Sequence, residues 1–376
     1  DDQKKDINRM TTMDTWSRQD DYELVISVRE YCRKAQKNPC EVSPYELRIE
    51  PVLSVPRSLN SVQLRFLLLR DLNIEIRRLL TLVNLSSDAP LATQISSLRN
   101  AIFFDVKMEG FKNALKKNTR IKGSKVHLTI NRLASERRLH RKKVRRHSRA
   151  KLNLSVFEQL NEQLGDVPSE ALRCEGQSFR VTLAGEHADD SGGPFRTIFQ
   201  TVSNELKSGT FDMFIAVPGK NEIYVPNPRC NDVSRFTFFG RLMGICLSSN
   251  VHLDINMAEI CWKFLVGEKN WSWRDIANVD KDFKIMYEDV KHRLSRKEEE
   301  DEEEDSNDLY MKVKGIDGTE YALFPGGEKV RVRGTDMLRT WLRLAEEYRV
   351  NELKVQCEAI RRGLVSQLPQ CSKFLS

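Results

Sequence analysis

The chain has 376 residues, with 61 Lys and Arg against 54 Asp and Glu, 40% apolar and 31% charged residues. That is chain enough for two to three domains with a sizeable core, and it excludes a mini-protein, a collagen and a bulk-disordered polymer. No run of about 18 apolar residues stands in it and its start, Asp1-Asp2-Gln3-Lys4-Lys5-Asp6, is too polar for a signal peptide, so no membrane segment and a cytoplasmic, or also nuclear, setting are expected.

The net charge of +7 is the remainder of two opposite runs. Arg132 to Lys151 holds ten Lys or Arg and one acid, whereas Glu298 to Asp305 is eight consecutive acids. Like charges repel and resist burial, so both runs read as solvated loops. The basic run lacks interleaved aromatics to stack bases, so nucleic-acid binding is not expected. Eight scattered cysteines without a Cys-x-x-Cys pair read as reduced thiols, and six histidines outside any zinc-ligand spacing predict neither metal nor cofactor.

Along the chain, a first helix is predicted around Tyr22 to Gln36. A long amphipathic one follows from Ser61 to Leu85, with Leu64, Leu68, Leu72, Ile76, Leu79, Leu80 and Val83 at three- and four-residue spacing. Leu91 to Phe104 reads as helix and Val126 to Ile130 as strand. After the basic run, Leu154 to Leu164 is helical with Gly165 as its stop. Ser178 to Leu183 is a strand, Pro194 opens a helix to about Leu206, and short strands follow at Met213 to Val217 and Glu222 to Val225. Asp232 can cap a buried helix in which Gly240 and Gly244, one turn apart, permit a close helix neighbour. Ala258 to Val266 and Trp273 to Leu294 read as helices. A hairpin, Tyr310 to Lys314 and Glu320 to Phe324, turns at Asp317-Gly318, and two helices, Met337 to Tyr348 and Leu353 to Leu364, close the pattern.

Asp190-Ser191-Gly192-Gly193-Pro194 looks like a serine-protease nucleophile loop, but a triad needs a positioned histidine and a buried acid. His187 lies only four residues from Ser191 and the surroundings are helical, so that chemistry is rejected. In a wider window, Gly185 to Phe199 resembles the Gly-x-x-x-x-Asp-x-Gly-Gly-x-x-x-x-x-Phe signature of the HECT-type ubiquitin ligases. Further likenesses follow in family order: Val225-Pro226-Asn227-Pro228, Phe236 to Gly244, Leu253-Asp254 with Trp262-Lys263, Trp273 to Asp280, Phe324-Pro325-Gly326-Gly327, Tyr348 to Asn351 and Arg361 to Leu364. Upstream, Leu64 to Asn73 resembles the pre-HECT helices of giant HERC-like members.

The resemblance implies an α+β, mostly α-helical N-lobe over 101–376, with a large helical subdomain and a small inserted α/β subdomain at about 258–332, behind a helical extension over 1–100. It implies ubiquitin-conjugating enzyme (E2), ubiquitin and protein substrates as partners, and transfer of ubiquitin through a cysteine thioester to a substrate lysine. The catalytic lobe is expected to be absent from this chain, with the nucleophilic cysteine C-terminal to Ser376 and the fragment alone inactive. Cys371 follows the last helix too closely and lacks the Thr-Cys-Phe tripeptide, so it is expected to be a hinge residue.

For E2 docking, the resemblance points to Phe283 and Tyr287 on a groove helix and Tyr310 near a partner strand, the plain alternative being core packing. Asp190, Gly192, Gly193 and Gly240 are expected to be structural. The acidic run beside the groove could steer a basic partner. From another class, a non-catalytic helical scaffold or interaction module of the same fold is the alternative.

Overall fold

The computed structural model describes residues 16–47, 57–80, 83, 89–118, 126–133, 135, 154–173, 176–186, 193–209, 211–220, 222–268, 271–296 and 309–368. Asp190, Gly192, Cys371, the acidic run and nearly all of the basic run lie outside them. Two compact units divide the chain, one up to Asn118 and a second reaching Leu368. Among the described residues no helix is long and apolar enough to cross a membrane.

In the first unit, α1 (Arg18–Ala35) starts at a capping box: the Ser17 hydroxyl accepts from the Asp20 amide while the Asp20 carboxylate accepts from the Ser17 amide. α2 (Leu59–Leu80) buries Val62, Phe66, Leu69, Asn73 and Ile76. The predicted stripe is met in its second half, where Ile76 is buried and Leu72, Leu79, Leu80 and Val83 pack on the core, while Leu64 and Leu68 give way to Val62, Phe66 and Leu69, because Leu64 to Leu69 offers apolar residues on neighbouring faces and spacing alone leaves the phase open. An amide marks the true face. Asn73 donates to the carbonyls of Leu69 and Ala101 at 2.7 and 2.8 Å and accepts from the Phe103 amide at 2.7 Å. The predicted helix from Leu91 to Phe104 is two pieces, α3 (Pro90–Ser97) and a 3₁₀ turn at Arg99–Ala101, and α4 (Phe104–Asn118) packs in the same unit.

The second unit opens with β1 (Val126–Ile130). Past α5 (Val156–Leu164) and α6 (Ser169–Leu172), β2 (Phe179–Leu183) joins β1 in parallel, Val126 opposite Phe179 and Ile130 opposite Leu183. Strict alternation along β2 buries Phe179, Val181 and Leu183. α7 (Gly193–Lys207) packs Phe195 and Phe199 on Phe179, the first pair of rings 4.9 Å apart. The carboxyl of Glu205, 1% exposed, accepts from the amides of Val156 and Phe157 at 2.8 and 2.9 Å and from the Ser135 hydroxyl, placing an acceptor where the α5 amides point outward, while burial pushes its pKa up. Gly165 does not stop α5 through a left-handed turn; its φ is −53°. Arg241 caps those carbonyls instead, donating to Leu164 and Gly165 at 2.9 and 2.7 Å and to Val167.

β3 (Phe214–Ala216) and β4 (Tyr224–Pro226) pair antiparallel, and α8 (Val233–Ser249) follows from its Asp232 cap as the most buried helix of the unit. Across it lies α13 (Lys354–Gln367). The two backbones touch: a Cβ at Gly240 would overlap the Ile360 carbonyl, and one at Gly363 would overlap that of Thr237. Only glycine fits either place.

Candidate partner-docking cleft

Between α8 and α13 in sequence, the chain builds a smaller part from α9 (Glu259–Val266), α10 (Trp273–Ala277), α11 (Lys281–Arg296), the antiparallel pair β5 (Lys312–Lys314) and β6 (Glu320–Ala322), and α12 (Gly334–Asn351). One helix was expected from Trp273 to Leu294, but the backbone breaks at Asn278 to Asp280. Asp280 starts α11 afresh, its carboxylate accepting from the Phe283 amide at 2.9 Å. That restart sets which way the α11 side chains face.

A cleft of about 380 Å³ opens between the first turns of α11 and the hairpin, lined by Phe283 and Met286 on one side and Leu309, Tyr310 and Val313 on the other. Charges of both signs rim it, including Asp282 and Lys314, which approach to 3.6 Å. Tyr310 is half-buried and bridges to Arg331, fixing the hairpin edge. Phe283 and Tyr310, far apart in sequence, therefore meet at one cleft.

Neither Phe283 nor Tyr287 is exposed as a free hot-spot ring would be: they are 2% and 5% accessible. Phe283 floors the cleft. Tyr287 is turned away from it, stacked on Trp273 at 4.9 Å with its hydroxyl donating to Glu346 at 2.8 Å. Burial and that bond to a carboxylate both push the Tyr287 phenol well up. Glu346 also accepts from the Trp273 amide at 2.9 Å, so α10, α11 and α12 are joined at one carboxylate.

Beneath Phe283 lies Arg349, fully buried, its guanidinium 4.7 Å from the ring centroid. It donates to Asp280 at 3.0 Å, to the Lys314 carbonyl at 2.9 Å and to Glu352 at 3.0 Å. Burial pushes the Glu352 carboxyl up to about 7, against the pull of Arg349. Arg349 stands within the Tyr348 to Asn351 likeness, but nothing in the spacing gives it this role. Met286 was findable, three residues beyond Phe283 on the same helix face.

Cys246 and Cys32 are not activated thiols. Burial pushes Cys246 up to about 12 and Cys32 up to about 11, where the thiolate needed for acyl transfer is scarce at neutral pH. Gly193, the described residue of the Asp-x-Gly-Gly string, begins α7 with open space around the position of a Cβ.

Residues 200–374, which enclose both walls of the cleft, match the HECT-domain (ubiquitin-transferase) family. The likeness to that family spans a little under half of the chain. The chain is similar to the E3 ubiquitin-protein ligase HERC2 of Mus musculus, 29% identical over 227 residues, covering 57% of this chain and 4% of that protein. It is also similar to the probable E3 ubiquitin-protein ligase HECTD4 of Homo sapiens, 28% identical over 296 residues, covering 70% and 7%. The E3 ubiquitin-protein ligase hyd of Drosophila melanogaster is 28% identical over 166 residues, covering 41% and 6%. The chain thus spans a small fraction of the length of these relatives. The mostly helical α+β fold agrees with a HECT N-lobe.

Proposed function

We propose that this chain is the recruiting lobe of a HECT-type E3 ubiquitin-protein ligase working in the cytoplasm. A ubiquitin-conjugating enzyme docks at the cleft between α11 and the β5–β6 hairpin and delivers its ubiquitin to a cysteine of a further lobe. There a thiolate attacks the thioester carbonyl, the conjugating enzyme's thiolate leaves, and the amine of a substrate lysine then displaces the new thioester. The observation that carries this reading is that the family match encloses a cleft in which Phe283 and Tyr310 line facing walls. A mixed apolar floor with a charged rim suits a protein partner better than a small ligand.

The test is titration of the chain with a panel of ubiquitin-conjugating enzymes, followed by calorimetry. Binding of at least one member, weakened tenfold or more by Tyr310→Ala, is expected. A folded chain that binds none of them would leave the non-catalytic scaffold as the reading.

A further inference from the structure

The buried charge under the cleft is costly unless each of its donors is paired. Arg349 is 0% exposed and comes from α12, which contributes no side chain to the cleft lining. An arginine confined there forfeits its hydration, which well-placed acceptors must replace. Its three donating nitrogens reach three separate pieces of chain: the carboxylate of Asp280 that starts α11, the carbonyl of Lys314 on β5, and the carboxylate of Glu352 at the end of its own helix. The face of the same guanidinium lies against the Phe283 ring. Asp280 in turn holds the Phe283 amide, and the second oxygen of Glu352 accepts from the Ile316 amide in the turn of the hairpin at 3.3 Å. Both cleft walls therefore end on one guanidinium.

We propose that Arg349 is a positioning residue for partner docking, fixing the separation of the two cleft walls from beneath without touching the partner. The proposal rests on the reading of the cleft as the docking site. The planar fork is what the role needs, because three acceptors in different directions match a guanidinium and exceed what a single ammonium can span. Trp341, fully buried on the same helix, adds a parallel tie by donating to the Lys312 carbonyl at 3.1 Å. That tie reaches the hairpin, and Glu346 of the same helix holds α11 through the Tyr287 hydroxyl, but of these groups Arg349 is the one that reaches both walls at once, directly under Phe283.

The experiment measures affinity of the whole chain for the tightest conjugating enzyme of the panel, in wild type, Arg349→Met, Arg349→Lys, Phe283→Leu, Tyr310→Ala and the Arg349→Met/Phe283→Leu double variant. Folding is checked by circular dichroism and thermal unfolding. A folded Arg349→Met is expected to bind at least tenfold more weakly. Its loss should be non-additive with that of Phe283→Leu, since the two side chains act through one contact. Should the Met variant not fold, Arg349→Lys keeps the charge and loses the fork, and a several-fold loss is expected of it. Either folded variant binding within twofold of wild type, or strictly additive losses, would overturn the role of Arg349. If Tyr310→Ala still weakens binding in that case, the docking cleft survives and only the positioning role falls. If wild type binds no conjugating enzyme, both fall together.

Discussion

The carbonyl oxygen of Ile360 occupies the space in which a side chain on Gly240 would begin. α8 and α13 are therefore pressed together backbone to backbone, and the closeness is written into both helices, since Gly363 faces Thr237 in the same way. Because α12 and α13 follow the hairpin directly, this contact anchors the smaller part of the unit.

Gly240→Ala is accordingly expected to destabilise the second unit by about 3 kcal/mol, since relief requires moving backbone and not a flexible side-chain end. Gly193→Ala, with open space around it, should change stability by less than about 0.5 kcal/mol. Urea unfolding of both variants checks the contrast, and equal effects would contradict the packing described.

Removing the Tyr287 hydroxyl should matter to folding and leave docking alone. Tyr287→Phe deletes a buried hydrogen bond to Glu346 and is expected to cost about 1–2 kcal/mol. Affinity for a conjugating enzyme should stay within twofold, whereas Tyr310→Ala should reduce it. Equal losses of affinity in the two variants would mean that Tyr287 reaches the partner after all.

Glu352 gives stability a pH dependence whose sign is set by burial. An unfolded glutamate titrates near 4.3, and the folded one near 7. Between those values the folded chain holds a proton that the unfolded chain has released, so stability falls as pH rises through the window and levels off above it. The Glu352→Gln variant lacks this titration. Wild type should lose on the order of 2 kcal/mol more than the variant between pH 5 and pH 8, measured by chemical unfolding at each pH, and parallel curves would count against a buried carboxyl at this site.

In the first unit, Asn73→Ala strips hydrogen bonds from the Ala101 carbonyl and the Phe103 amide at one stroke. Leaving such groups buried and unpaired should cost about 2–4 kcal/mol. Hydrogen exchange at Phe103 offers a direct readout: its amide should lose protection before the amides of α2 do.

Elements with one strong local signal were legible in the sequence. β1 is bounded at Val126 and Ile130 as alternation predicts, and Asp232 does cap α8. Signals failed where a distant residue decides. Asn278 to Asp280 interrupts a pattern that is helical on both sides, because Asp280 serves Arg349, about seventy residues away. The phase of α2 is decided by Asn73, whose value as a buried residue depends on the carbonyl and amide that a later turn brings to it. The cleft was half legible. Phe283 and Tyr310 stand out by resemblance, and Arg349 lies inside the Tyr348 to Asn351 likeness, but nothing local gives its role, since its three acceptors come from separate segments.

Ser135 and the first amides of α5 hydrogen-bond to the same carboxyl, that of Glu205. Two segments that flank the strongly basic stretch in sequence are thus tied to one side chain of α7. A single buried acceptor therefore serves as a shared clasp for both flanks, and whatever loosens Glu205 loosens the two together.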